Sequence, residues 1–400
     1  MTRQTLSPLD NVVVVELGGV GPVPLAGMIL RNFGAHVVRV SRPGSTEDSG
    51  DDMLNMESLD RGKKTLVLDL KQDAAVRQLK TLLGAADVVL EGFRPGVAER
   101  LGLGPDDCAR LNPALIYGRM TGWGQQGPYA QAPGHDLNYL ALSGLLHGMG
   151  NGAGPTVPVN YIGDFGGGGL PLAMGVLAAL FQRGRSGAGA VIDAAMVDGA
   201  GQLGSLVYGW HAQGQWIDRR MSNIVDGACP FYRVYETRDG GHVAIGAIED
   251  KFYDALVRLT ELDGGRFPDR WDRSSWAELT EALAGAFLAR TRDEWAASEL
   301  AAAACVTPVL SLSEAPLHPH NAHRGGFERW KGGWLPAPAP RMAPLANDTC
   351  PTDGAGETTL ADVLRSRGLA AGALDALLQR PAGEPTQPAD RTSNLREELK

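Results

Sequence analysis

The segment VVVVELGGVGPVPLAGMILRNFGAHVVRV, residues 12–40, decides the fold of this chain. Its two valine-rich runs, at 12–17 and 36–40, have the length and composition of buried strands, and the apolar stretch 25–33 between them predicts a helix. Strand and helix patterns alternate in the same way up to residue 119. Such alternation is typical of a parallel sheet with helices on both faces, so the sequence predicts an α/β fold.

A second, smaller domain is predicted from the change of pattern near residue 225. Two strand patterns flank Asp239-Gly240-Gly241, which is a strong hairpin signal, and helical patterns follow them. We therefore predict a large domain at 1–224, to which 326–380 returns, and a small α+β domain at 225–325. Residues 381–400 lack apolar periodicity, and we expect a mobile tail there.

Two helical patterns carry further expectations. Residues 170–183 form a long, almost wholly apolar pattern, which predicts a buried helix. A second pattern predicts a helix at 293–303. No stretch approaches the roughly 18 uninterrupted apolar residues of a membrane-spanning helix, so we expect no membrane segment.

Charge and cysteine usage exclude several classes of protein. The net charge of −9 argues against non-specific nucleic-acid binding, because no basic surplus is present to neutralise phosphates. The four cysteines are scattered without a CxxC pair, which favours a reducing compartment over a disulfide framework. The N-terminal segment has no apolar core typical of a signal peptide. We expect a soluble, cytoplasmic protein without a nucleic-acid partner.

The glycine-rich turn at 18–24, directly after the first strand, resembles a dinucleotide-binding loop but does not fit one. The third glycine of GxGxxG falls at Pro24. After the second strand, NAD-binding proteins carry an acidic residue, whereas this chain has Arg39, Ser41 and Arg42. The pattern therefore argues against NAD and instead suits a phosphorylated ribose.

Three arginines follow predicted strands, namely Arg42, Arg94 and Arg100. Open α/β sheets bind ligands at the carboxyl ends of their strands, and guanidinium groups pair with phosphate oxygens. We predict that these arginines converge on an anionic ligand with several phosphates; the alternative is that each is a solvated surface charge.

Two short segments place a histidine and a carboxylate beside glycines. GHDLNY at 134–139 contains His135, and GDFGGGG at 163–169 contains Asp164. Held on opposite sides of one carbon, these groups would remove a proton from one face and return it to the other, which inverts a stereocentre without a metal or redox cofactor. The alternatives are a structural histidine and an aspartate that caps the following helix.

Neighbouring acids and histidines complete the candidates. Asp136 or Glu249 would orient His135, and the backbone donors of the glycine tract at 166–169 would stabilise an enolate. The histidines at 318, 320 and 323 lack Cys or carboxylate partners. We interpret this segment as an irregular loop and expect no metal site.

Blocks along most of the chain resemble the family III CoA-transferase (CaiB/BaiF-like) superfamily, and specifically its α-methylacyl-CoA racemase branch. The blocks are VVVELGGVGP (13–22), EGFRPG (91–96), RMTGWGQ (119–125), GHDLNY (134–139), GDFGGGG (163–169), VIDAAMVDG (191–199), AIE (247–249) and CVTPV (305–309). The resemblance implies a large Rossmann-like domain, a smaller α+β domain, and an interlocked homodimer. Its active sites would lie between the large domain of one subunit and the small domain of the other.

The same resemblance implies roles for individual residues. His135 and Asp164 would be the acid/base pair, Glu249 would support the histidine, and Asp136 and Asn160 would lie nearby. The positions implied to contact CoA are Arg42, Leu68, Asp69, Leu70, Lys71, Gly92, Phe93, Arg94, Arg100, Gly134, Leu137, Asn138 and Tyr139. No cofactor beyond the CoA moiety of the acyl-CoA substrate, and no metal, is implied.

His135 separates the possible functions. CoA-transferases of this superfamily resemble the same Gly-Asp segment, but there the aspartate is a nucleophile and the histidine is typically missing. The sequence therefore predicts epimerisation of 2-methylacyl-CoA thioesters, with CoA transfer through Asp164, or a non-catalytic CoA-binding role, as alternatives. The acyl group stays open, and the acidic segment 45–60 departs from the family pattern.

Overall fold

The computed structural model describes residues 7–44, 56–267, 269–343 and 358–378. Most of the acidic segment and the predicted tail at 381–400 lie outside the described residues. Within them, the strands are β1 (Val13–Leu17), β2 (His36–Ser41), β3 (Lys64–Val67), β4 (Val88–Glu91), β5 (Ile116–Thr121), β6 (Gly150–Asn151), β7 (Gly154–Pro155), β8 (Ala190–Ala195), β9 (Tyr232–Glu236), β10 (His242–Gly246), β11 (Val306–Pro308), β12 (Phe327–Trp330) and β13 (Gly333–Pro336).

The helices listed next also lie within the described residues. They are α1 (Pro22–Asn32), α2 (Glu57–Asp60), α3 (Asp73–Ala85), α4 (Val97–Arg100), α5 (Pro105–Leu111), α6 (Asp136–Leu142), α7 (Leu145–Gly148), α8 (Leu170–Ser186), α9 (Met196–Leu203), α10 (Ser205–Ala212), α11 (Asp250–Thr260), α12 (Trp276–Phe287), α13 (Arg292–Ala296), α14 (Pro319–His323), α15 (Leu360–Ser366) and α16 (Ala371–Leu378). A π-helix at Ile162–Gly169 runs directly into α8.

The main sheet has six strands in the order β3-β2-β1-β4-β5-β8, and all neighbours are parallel. Every residue of β1, β4 and β5 is buried, which explains their apolar sequences, because a parallel sheet is covered on both faces. The strand order reverses between β1 and β4, as in Rossmann-type folds. The predicted α/β fold with a parallel sheet is confirmed.

Each face of this sheet has its own apolar core. Along β1 the side chains alternate, so that Val13 and Val15 join one cluster and Val14 joins the other. Val363 and Leu364 of α15 belong to the first of these clusters. The C-terminal helices therefore pack on the sheet built by the first half of the chain.

A third core holds the segment between residues 229 and 306 together. Strands β9 and β10 form the predicted hairpin, with Gly240 at a φ of 74° in its turn, and β11 pairs antiparallel with β10. The helix predicted at 293–303 is wrong beyond Ala296, because the chain turns there to bring β11 against β10. The domain boundaries given above stay a prediction.

Helix α8 departs from its predicted environment. Its buried residues are Leu172, Ala173 and Val176, whereas Met174 and Phe181 are 67% and 72% exposed. The prediction of a fully buried helix is wrong, because only one face packs against β5, β8 and α1 and the opposite apolar face stays open. The segment Val159–Ser186 also has the length and composition of a membrane-spanning helix, with 33% of its apolar window buried. The expected lack of such a segment is therefore not confirmed.

The histidine-rich segment is partly helical, which corrects the predicted irregular loop. Pro319 starts α14, where its missing N–H costs nothing, and His318 precedes the helix. Among the described residues, no group of three or more His, Cys, Asp or Glu side chains is placed to hold a metal ion.

Asp87 ties the C-terminal helices to the sheet, and its removal should be costly. Its carboxylate accepts the Val13 N–H at 2.7 Å and pairs with Arg367 at 2.6 Å and Arg183 at 2.9 Å. Because Asp87→Ala leaves a buried N–H without its acceptor and two part-buried arginines without their carboxylate, we expect the free energy of unfolding to fall by about 3 kcal/mol in urea titrations. The matched control Arg365→Ala removes an exposed pair with Asp362 and should cost less than about 1 kcal/mol. Equal costs would contradict this account.

Candidate active site

A cleft opens at the carboxyl ends of β1, β4 and β5, beside the point where the strand order reverses. Ligands bind at such switch points in open α/β sheets. Its volume is about 250 Å³. The predicted site residues that line it are Gly92, Phe93, Arg94, Gly134, His135 and Tyr139. The geometry therefore brings the histidine and one of the three candidate arginines to the same cleft.

A buried ion-pair network shapes the loop that carries Arg94. The Glu91 carboxylate, fully buried at the end of β4, accepts the Phe93 N–H at 2.7 Å and the Arg119 Nε–H at 2.9 Å. Arg119 also pairs with Glu99 of α4 at 2.8 Å. Burial raises the pKa of Glu91, while Phe93 and Arg119 oppose that rise. The network thus fixes the backbone after β4 and leaves the side chain of Arg94 exposed to the cleft.

His135 sits at the N-cap of α6 and is exposed. The backbone N–H of His135 donates to Asn138 Oδ1 at 3.0 Å, and the Tyr139 hydroxyl donates to the Gly134 carbonyl at 2.5 Å. The Tyr139 ring packs edge-on against Trp123, with 4.8 Å between centroids. A Cβ on Gly134 would lie 2.9 Å from both rings, which explains the glycine. Tyr139 and Asn138 therefore hold the loop that presents the imidazole.

Asp164 lies inside the π-helix, so the alternative of a helix cap is wrong. Its N–H donates to Asp136 Oδ1 at 2.7 Å. Its carboxylate faces the turn after β1, with Oδ2 3.4 Å from the position that a Cβ on Gly21 would take. The side chain of Asn160 hydrogen-bonds this carboxylate. Asp136 and Asn160 thus both act on Asp164, whereas the sequence had offered Asp136 as a partner of the imidazole.

The electrostatics of Asp164 are unusual for an aspartate. Burial and the negative charge of Asp136 raise its pKa from 3.8 to about 6, although His135 and Asn160 lower it. Asp164 is not among the residues that line the cleft, but it responds to the charge of His135, which does line it. A carboxyl group that titrates close to neutral pH is suited to exchange protons in both directions.

The glycine tract after Asp164 has a packing role. A Cβ on Gly167 would lie 2.6 Å from the backbone of Ala200 in α9, and one on Gly169 would lie 2.8 Å from the Pro22 carbonyl. Close contact with α9 and α1 therefore requires glycine at these positions. The expected role of the tract as backbone donors to an enolate stays a prediction.

Other predicted residues lie outside the cleft lining. Arg42 and the stretch Leu68, Asp69, Leu70 and Lys71 follow β2 and β3 at the same edge of the sheet. Arg100 is exposed on α4, and Leu137 and Asn138 are exposed on α6. Arg39, considered above beside Arg42, instead pairs with Asp60 at 2.5 Å.

Glu249 occupies a different part of the chain. It is exposed at the N-cap of α11, beyond the hairpin, and no described contact joins it to His135 within one chain. Sequence reasoning also missed Trp123, Val23 and Met196 as cleft residues. Trp123 follows β5 directly, so its position after a strand was the available signal.

Comparison with known proteins identifies the family. The sequence model of the family "CoA-transferase family III" matches residues 9–355 of this chain. The chain is 44% identical to mouse alpha-methylacyl-CoA racemase over 367 residues, which cover 90% of this chain and 93% of that protein. The human alpha-methylacyl-CoA racemase is 43% identical over 342 residues, with coverage of 85% and 87%. The crystal structure of a CAIB/BAIF family protein from Brucella suis superposes with a TM-score of 0.71 at 26% identity, covering 86% and 97%. This chain belongs to CoA-transferase family III.

Proposed function

We propose that this protein interconverts the R and S epimers of 2-methylacyl-CoA thioesters by 1,1-proton transfer. One of His135 and Asp164 removes the α-proton to give an enolate, and the other returns a proton to the opposite face. The roles exchange in the reverse direction. Neither a metal nor a redox step is needed, because the thioester carbonyl takes up the charge.

The observation that carries this proposal is the Asp164 carboxyl, whose pKa is raised to about 6 and which responds to the charge of the cleft residue His135. A group that both removes and returns protons works best when its pKa lies close to the working pH. Asp136 tunes that pKa upward and holds the Asp164 backbone through the 2.7 Å hydrogen bond. The two relatives named alpha-methylacyl-CoA racemase support the same reaction.

The cleft supports CoA as the carrier. Arg94 faces it, Arg42 follows β2 at the same edge of the sheet, and Arg100 is exposed at the end of α4, so phosphate groups would meet guanidinium forks there. Phe93, Trp123 and the other apolar lining residues would contact the pantetheine chain. We propose that the thioester enters along this cleft toward His135.

CoA transfer through Asp164 is the competing reaction within the family. A nucleophilic carboxylate benefits from ionisation, whereas burial and Asp136 favour the protonated form of Asp164. A transferase also has no use for a second acid/base group, yet His135 lines the cleft and its charge acts on Asp164. Both features favour epimerisation.

We further propose that two copies assemble and that each supplies Glu249 to the histidine of the other. Supporting observations are the position of Glu249 at the N-cap of α11, outside the cleft lining, and the apolar side chains exposed on one chain. Those on α8, α9 and α10 include Leu170, Met174, Phe181, Leu203 and Leu206. Exposed apolar patches of this kind mark interaction sites. Sedimentation equilibrium should give twice the chain mass of 42.3 kDa; a monomer with full activity would contradict the proposal. The cytoplasmic location stays a prediction.

The reaction itself is tested with pure (2R)- and (2S)-2-methylacyl-CoA, for example the 2-methyldecanoyl thioester, in D₂O. We expect deuterium at the α-carbon and formation of the other epimer from either starting material. CoA exchange between an acyl-CoA and a free carboxylic acid, without α-deuteration, would instead establish the transferase.

Asp136→Asn should shift the pH dependence of this reaction. The amide oxygen can still accept the Asp164 N–H, but the negative charge that raises the pKa of Asp164 is gone. The pKa of Asp164 should fall below about 6, so the acidic limb of kcat/KM moves to lower pH for the epimer that Asp164 deprotonates. The rate of α-deuteration between pH 4 and 8 measures the shift. An acidic limb that does not move would contradict the assigned coupling.

A further inference from the structure

Arg270 is an arginine enclosed by aromatic rings in the segment 229–306, far from the cleft in sequence. Only 11% of its side chain is exposed. Its guanidinium lies 5.5 Å from the Phe231 ring, 4.9 Å from the Tyr253 ring and 5.0 Å from the Trp271 ring. Burying a charge in such a cage is costly unless the group is paired and hydrogen-bonded, and Arg270 Nε has no hydrogen-bond partner among the described residues.

The hydrogen bonds of Arg270 meet the chain on both sides of Glu249. Arg270 Nη2 donates to the Ile248 carbonyl at 2.9 Å and to Asp250 Oδ1 at 2.5 Å. The Glu249 carbonyl accepts the N–H groups of Phe252 and Tyr253 at 3.0 Å, which begins α11. The backbone at Glu249 is therefore fixed from both directions, while its side chain is exposed.

Arg270 is itself held in place. Its carbonyl accepts the Trp276 indole N–H at 2.9 Å, and the three rings restrict the guanidinium plane. A guanidinium suits this position because it stacks on rings and donates several hydrogen bonds in fixed directions, which an ammonium does not. Arg270 therefore links the apolar core of this segment to the exposed turn at Glu249 and restricts the movement of that turn.

We infer that Arg270 is a positioning residue for the proton transfer, which sets the direction in which Glu249 projects toward the histidine of the second copy. The inference rests on the proposed function, because Glu249 matters only if His135 is an acid/base group. Misplacing a supporting carboxylate by about 1 Å reduces catalysis much more than substrate binding.

The test is a double-substitution cycle on the full-length protein, read as α-deuteration of 2-methyldecanoyl-CoA in D₂O. Arg270→Met keeps the apolar stem and removes the hydrogen bonds; we expect kcat to fall about 10- to 100-fold with KM changed less than about threefold. Glu249→Gln should give a similar loss, and the double variant should lose no more than the larger single loss. Arg270→Lys keeps the positive charge and one donor nitrogen, and it should recover part of kcat.

Arg273→Met is the matched control. Arg273 also donates to a backbone carbonyl, that of Ser222 at 2.9 Å, and stacks on an aromatic ring, that of Trp276 at 5.2 Å. No contact described for Arg273 joins it to the turn at Glu249. The Arg273→Met variant should keep kcat within about twofold of the parent value, while its melting temperature equals that of Arg270→Met. Losses that multiply in the double variant, or equal losses in Arg270→Met and Arg273→Met, would overturn the inference. A parent protein that does not exchange the α-proton would instead contradict the proposed function.

Discussion

Asp164→Asn should reduce epimerisation of 2-methylacyl-CoA by about 10²- to 10⁴-fold, the contribution typical of a general acid or base. The amide keeps the shape of the side chain, but it does not exchange protons near pH 6. The hydrogen bond from the Asp164 N–H to Asp136 uses the backbone and stays intact. Rates measured by chiral separation of the thioesters check this, with Asp106→Asn, an exposed aspartate on α5, as the control. A loss below about tenfold would remove Asp164 from the chemistry.

The same substitution should make the protein more stable at neutral pH. The native pKa of Asp164 is raised to about 6, so between pH 3.8 and 6 the native state holds a proton that the unfolded chain has released. Stability contributed by this group is therefore present at low pH and lost as pH rises through 6. After allowance for solvent screening of a half-buried carboxyl, the cost is about 1 kcal/mol at pH 8. Melting curves should show a more stable Asp164→Asn variant at pH 8 and no difference at pH 4.

His135→Gln should cause a loss of epimerisation of similar size, about 10²- to 10⁴-fold. The side chain is exposed at the N-cap of α6, and the loop is held by Asn138 and Tyr139 through the backbone. The fold and CoA binding should therefore survive, and KM for the acyl-CoA should change little. Steady-state kinetics with either epimer measures both quantities.

The control for this variant is His320→Gln, an exposed histidine on α14 away from the cleft. It should leave the rate unchanged. If His135→Gln also kept most of the activity, Asp164 would act without it, as the CoA-transfer alternative requires.

Much of the fold follows from local sequence patterns. The valine-rich runs of β1 and β2 and the apolar stretch of α1 predict a parallel sheet, because their side chains suit burial on both faces. The hairpin at Gly240 follows from turn chemistry. The exposure of α8 could not be predicted from the sequence. An apolar helix pattern indicates that the helix will be covered, but it does not show whether the same chain covers every face. The two exposed residues Met174 and Phe181 illustrate this limit.

The site was predicted in part. Arg94 lines the cleft because it follows β4, and His135 lines it because the loop after β5 leads to the N-cap of α6. The hydrogen bond between the Asp164 backbone and Asp136 joins residues 28 positions apart. Asp164 lies in a π-helix, which no sequence pattern predicted. Arg270 was not identified from the sequence either. Its contacts with three aromatic rings and with the Ile248 carbonyl form only when the segment folds.

The proposed reaction needs two groups that serve opposite faces of one carbon. The parent, His135→Gln and Asp164→Asn are each incubated in D₂O with pure (2R)- and (2S)-2-methyldecanoyl-CoA, and α-deuterium and epimer content are followed by mass spectrometry and chiral separation. The account predicts that the parent deuterates and epimerises both substrates. Each variant should lose epimerisation yet still exchange the α-proton of one epimer, and the two variants should retain opposite epimers. Retention of the same epimer by both variants, or epimerisation at the parent rate by either, would contradict it.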